Sequence, residues 1–144
     1  MLSRLKFAAL ALFVAGFLYP GVTQAQEQGS KVLAKGEFHN ADKAGKGTAT
    51  VYKLANGKRV LRLSNFATDN GPDLYVRLIA ADDAKDTASV TKTDHVELGK
   101  LKGNKGNQNY ALPADVNLRK YKVVSIWCNR FSVNFAAAPL KAVK

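Results

Sequence analysis

Few side chains in this 144-residue sequence are equipped for chemistry. The only cysteine, Cys128, stands beside the only tryptophan, Trp127, in the apolar run YKVVSIWCNRFSVNF (Tyr121–Phe135). One cysteine cannot close an internal disulfide, and it cannot supply the paired thiols of a C-x-x-C zinc or redox motif. As a thiolate it has two uses: redox nucleophile, passing through sulfenic acid or a mixed disulfide, or soft ligand for haem iron or copper. Arg130, two residues on, favours the thiolate form. The other reading is a small buried hydrophobe with no chemistry. The residues alone leave both open.

Other constellations are sparse. Asp69-Asn70-Gly71-Pro72-Asp73 is a tight-turn sequence whose acids, Asp69 and Asp73, are candidate oxygen ligands for a cation such as Ca²⁺. His39 is a further candidate ligand. The competing reading is that these side chains cap their own turn. Both histidines, His39 and His95, read as surface residues. Asp82, Asp83 and Asp86 read as a solvated loop. There is no nucleophile-elbow G-x-S-x-G and no Gly-rich phosphate loop ahead of a helix, so a classical enzyme is not indicated.

The elements that must position these residues are mostly short strands. The chain opens with Arg4 and Lys6, then a 13-residue apolar run, Phe7–Tyr19, then a small-residue site ending at Ala25. This is the pattern of a secretory signal peptide. The run is shorter than the about 20 residues a spanning helix needs. The expectation is therefore a leader over residues 1–25, a single β-domain over 26–144, and an exported product, periplasmic or secreted. Beyond the leader, alternation and turn signals dominate, which predicts an all-β fold, an antiparallel sandwich or barrel-like domain. Lys46–Leu54 and Lys58–Phe66 flank Asn56-Gly57 and read as a hairpin with a type I′ turn. In Asp73–Ala80, alternation puts Leu74, Val76 and Leu78 on one side and Tyr75, Arg77 and Ile79 on the other. In the same way Val124, Ile126 and Cys128 share one face, and Val123, Ser125 and Trp127 the other. Residues 81–94 read as a polar, acidic loop. Residues 114–121 read as a single helical turn with Asp115 near its start.

The formal charge is +11. Removing Arg4 and Lys6 from the 22 basic residues, against 11 acidic ones, leaves about +9 in the mature chain. The basic residues concentrate in one window: Lys100, Lys102, Lys105, Arg119, Lys120 and Lys122. This window is a candidate contact for an anionic surface or an acidic protein partner, or else a solvated face. With export expected and no recognition helix or RNA-binding aromatic motif, nucleic acid is not an expected partner.

Four stretches carry a resemblance: GEFHNADKAGKGTATVY (Gly36–Tyr52), LRLSNFATDNGPDLYVRL (Leu61–Leu78), VELGKLKGNKGNQNYALP (Val96–Pro113) and YKVVSIWCNRFSVNFAAAPL (Tyr121–Leu140). In that order they resemble the DM-thirteen domain family, described as an electron-transfer module of extracellular and exported proteins, including Skeletor-type animal proteins. The resemblance implies a compact β-rich domain whose cysteine is the functional centre, either a bare thiol or the ligand of a prosthetic group such as haem. On this chain that role falls on Cys128, with Trp127 and Tyr110 as candidates to line the site. Relatives carry a histidine in an H-x-x-x-G pattern before the first glycine-led strand. Lys43 stands at that spacing before Gly47 here, and the nearest histidine is His39. The resemblance also implies a separate redox partner protein. The alternative function is a non-catalytic binding or adhesion-like domain with a structural cysteine.

Overall fold

The computed structural model describes residues 29–144, so the expected leader lies outside the described residues. Two antiparallel five-stranded sheets stack as a sandwich. Sheet I joins β1 (Lys31–Glu37), β3 (Gly45–Lys53), β4 (Arg59–Thr68), β7 (Gln108–Leu112) and β10 (Lys141–Ala142), in the order β10-β1-β3-β4-β7. Sheet II joins β2 (His39–Asn40), β5 (Leu74–Ile79), β6 (His95–Lys100), β8 (Val123–Cys128) and β9 (Val133–Pro139), in the order β2-β9-β8-β5-β6. The all-β sandwich is the expected fold.

Period-two side-chain alternation builds the interior. Val51, Leu61 and Leu63 of sheet I face Val76, Leu78, Val124 and Ile126 of sheet II, all without exposed surface. Each such side chain contributes about 1.5–3 kcal/mol of transfer free energy. Along one edge the sheets come close because the residues there are small. A Cβ on Gly36 would lie 1.9 Å from the Pro139 carbonyl oxygen, and one on Gly45 would lie 2.1 Å from Ala136 Cβ. Gly45 thus packs on Ala136 of β9, and Gly36 on the backbone of Pro139 and Leu140, where no side chain has room.

The β3–β4 hairpin forms where expected, but through a different turn. Leu54 N donates to Lys58 O and Gly57 N to Leu54 O, and Gly57 alone in the loop has positive φ (85°). This is a three-residue loop closed by a left-handed glycine, rather than a type I′ turn with two positive-φ residues. Asn56 keeps ordinary φ and uses its side chain instead, accepting from Lys58 N at 3.0 Å.

Residues 114–121 hold turns and no helix. Val116 N donates to Pro113 O and Tyr121 N to Asn117 O. Asn117, rather than Asp115, organises the second turn by accepting from Arg119 N. The segment 81–94 is more than a solvated loop. It contains a helical turn, α1 (Ala88–Thr91), and buries Ala84 and Val90 against Ile79, Val123, Trp127 and Ala137 on the outer face of sheet II. It is a strap that supplies this face with a small second core.

Candidate functional site

Alternation decides where Cys128 points. It follows Val124 and Ile126 into the space between the sheets, opposite Leu74 of β5 and Val133 of β9, and joins the main core. The residue ends its strand, as the sequence suggests, yet it has no exposed surface. The strand end reaches solvent only one residue later, at Asn129.

What closes this end of the molecule is a pair of turns. Asn129 N donates to Asp73 O at 2.8 Å, tying the turn after β8 to the turn before β5. The Asp69–Asp73 segment therefore abuts the cysteine end of the sheet. Gly71 there packs so closely that a Cβ would meet Leu74 Cδ2 at 2.8 Å and Phe135 Cζ at 2.9 Å. On the other turn, Ser132 takes a left-handed φ of 52°, a conformation that costs a non-glycine residue stability. That turn lifts Phe131 into solvent, 62% exposed. Three residues from the sulfur, the chain thus passes from fully buried to fully presented.

The other site candidates fall elsewhere. Trp127 lies on the opposite face of sheet II, under the strap, so the two neighbours in sequence are separated by the thickness of the sheet. Its ring stacks against the Arg77 guanidinium at 5.1 Å. Arg77 itself is held at 3.7 Å from Glu97, and burial lowers its pKa from the ordinary arginine value. Tyr110 shares the main core with Cys128. Its hydroxyl accepts from Lys102 N (2.8 Å) and donates to Gln108 Oε1 (2.5 Å), and burial raises its pKa. These bonds fix the 102–106 loop.

Asp69, Asp73 and His39 do not converge. Asp69 accepts from Ala44 N at 3.3 Å, across to the turn before β3 rather than within its own turn, and His39 turns to Asp83. Among the described residues no group of three or more His, Cys, Asp or Glu is arranged to hold a metal ion.

His39 is a bridge between the edge strand β2 and the strap. Its Nε2 lies 2.6 Å from Asp83 Oδ1 and its Nδ1 lies 2.7 Å from the Asn40 carbonyl. Two acceptors on two ring nitrogens are both satisfied only by the imidazolium. Burial pulls its pKa down, but the hydrogen bonds to Asn40 and Asp83 outweigh it, and the net direction is up. Deeper under the strap, fully buried Asn134 ties three segments together. Its Oδ1 accepts from Ser125 Oγ, its Nδ2 donates to the carbonyls of Ala84 and Asp86, and its backbone N donates to Thr87 Oγ1. Thr87 Oγ1 in turn donates to Asp42. Nothing local in the sequence announces this network, because its bonded partners are up to 50 residues apart.

In the basic window several cations have local partners. Lys120 pairs with Asp94 at 3.1 Å and Lys122 with Asp82. Lys102 Nζ donates to Asn109 O and stacks on Tyr110. The backbone of Lys105 forms an isolated antiparallel bridge with Ala67, at the end of β4.

The fold and this arrangement define a class: a β-sandwich domain with one thiol sealed in its core at a strand end. The chain matches the family described as electron transfer DM13 over residues 37–140, and it belongs to that family. No curated protein and no solved structure matches it.

A haem does not fit at Cys128 in this fold. The sulfur lies in a closed core with no exposed surface, between Leu74 and Val133, and Cys128 lines none of four surface clefts formed by described residues.

Proposed function

We propose that this chain is an exported electron-transfer domain in which Cys128 acts as a bare thiol. Family membership supports the electron-transfer class. The observation that carries the residue assignment is the position of Cys128: the only sulfur nucleophile in the sequence, one residue from a turn that presents Phe131 to solvent. Local opening of that turn admits a small oxidant of the peroxide class. The Cys128 thiolate attacks one peroxide oxygen, the O–O bond breaks and hydroxide leaves. The sulfur loses two electrons and becomes a sulfenic acid. A thiol reductant then displaces water from it to form a mixed disulfide, and a second thiol releases Cys128 reduced. The domain thereby carries two electrons from a thiol donor to a peroxide-class acceptor. The amino-terminal charged and apolar pattern supports export.

A second reading is a binding domain with a structural cysteine, and the complete burial of Cys128 favours it. The two part on one experiment. Folded protein is treated with hydrogen peroxide and a sulfenic-acid-specific trapping reagent, then mapped by mass spectrometry. The redox reading expects a trapped adduct on Cys128 under conditions where the protein stays folded. A thiol that remains silent until the protein is denatured would leave the binding reading standing.

A further inference from the structure

The outer face of sheet I carries a different pattern from the rest of the molecule. Registers across four strands align its side chains in rows. One row is Val32, Tyr52, Val60 and Ala111. The next is Lys35, Thr50, Arg62 and Asn109. No described residue forms a second core over this face, in contrast to the strap over sheet II. Of the seven lysine and arginine residues in the five strands of sheet I, Lys35, Lys46, Arg62 and Lys141 alternate onto this face, beside Glu37, while Lys31, Lys53 and Arg59 share the parity of the core positions. The acids lie elsewhere. Four of them are in the strap, where Asp82 and Asp94 pair with lysines, Asp83 with His39, and Asp86 with Ser89.

We infer that the outer face of sheet I is the docking surface for a protein partner with an acidic patch. An apolar row containing a tyrosine, bordered by a cationic row containing an arginine, has the composition of a protein–protein interface core and its rim. Net positive charge on this face steers an acidic globular partner and raises the association rate. A membrane surface is the poorer occupant. The large exposed aromatic that would insert into lipid, Phe131, is on a turn at the end of sheet II and not on this face. The inference rests on the electron-transfer reading in one respect: such a module needs a redox partner to meet.

A plant-type [2Fe–2S] ferredoxin, small, globular and acidic, serves as the probe, and phosphatidylglycerol vesicles as the competing arm. NMR of the folded protein titrated with ferredoxin is expected to shift amides of β1, β3 and β4 around Lys35, Tyr52, Val60 and Arg62. The affinity should fall steeply as salt is raised. Lys35→Glu combined with Arg62→Glu is expected to weaken binding about tenfold or more, and Tyr52→Ala by about fivefold. Lys35→Glu alone, at an exposed position, guards against a folding defect and should still weaken binding severalfold. Shifts confined to Lys100–Lys122, no ferredoxin binding at low salt, or binding to vesicles but not to ferredoxin would each overturn the inference. Peroxide trapping at Cys128 in the wild-type protein, beside its ferredoxin titration, separates the two claims. Trapping without docking sinks this surface alone, and docking without trapping sinks the thiol chemistry alone.

Discussion

The two outer faces of the sandwich have opposite designs. Sheet II covers its outer face with a strap, so Ile79, Val123 and Trp127 of that face are as buried as core residues. Sheet I leaves its outer face to solvent, and Tyr52, Val60 and Arg62 stay half-exposed. Antiparallel sheets often have one solvated face. The difference here lies in sequence chemistry. The covered face buries Ile79, Val123 and Trp127, whereas the open one sets Tyr52 and Val60 beside Lys35, Thr50 and Arg62. One face adds stability, and the other is left available for contact.

Removing what the covered face buries is expected to have the largest effect. Trp127→Ala leaves a cavity under the strap and strips the partner from Arg77, and should lower unfolding free energy by about 3–5 kcal/mol in denaturant titrations. Asn134→Ala comes next. It leaves Ser125 and the Ala84 and Asp86 carbonyls without their partner in a buried site, for a loss of about 2–4 kcal/mol. It should also speed amide exchange in residues 84–91 ahead of the rest of the protein. Equal slowing or speeding across both sheets would mean that the strap is not a separate layer.

The His39–Asp83 bridge offers a smaller and pH-dependent test. The folded pKa of His39 lies above 6.5, so its stabilisation is fully present below pH 6.5 and disappears as pH rises through the folded value. The bridge is about a third exposed on both sides, which limits its worth to under about 1 kcal/mol. Wild type should therefore lose stability relative to His39→Gln across that range, and the two curves should run parallel at higher pH. Lys85, whose charge opposes protonation of His39, holds the midpoint lower than it would otherwise be. Smallest of all should be Val60→Thr on the open face, within about 0.5 kcal/mol in the same titrations. A cost as large as that of Asn134→Ala would mean that this face is covered after all.

Much of this was legible in the chain, and the limits have physical causes. Alternation in Leu74–Ile79 and Val123–Cys128 assigned both faces correctly, because each strand is buried on two unlike sides. Asn56-Gly57 marked the hairpin but not its turn, since one positive-φ glycine serves either loop length. The acids of residues 81–94 hid the strap. Only Ala84 and Val90 face inward there, too few to make a pattern. The lysines of residues 100–122 are close in sequence, and the fold gives three of them, Lys102, Lys120 and Lys122, local partners that the sequence does not announce. The cations of sheet I are scattered in sequence and gathered by strand pairing. The depth of Cys128 was also out of reach, because the turn that seals it is tied to Asp73, fifty-six positions away in the chain.

The central claim concerns electrons at one sulfur, and a coulometric redox titration tests it most directly. Folded wild-type protein should take up and return two electrons per chain, reversibly, and Cys128→Ser should take up none while keeping its fold. No electron uptake by wild type, or equal uptake by the serine variant, would contradict the account.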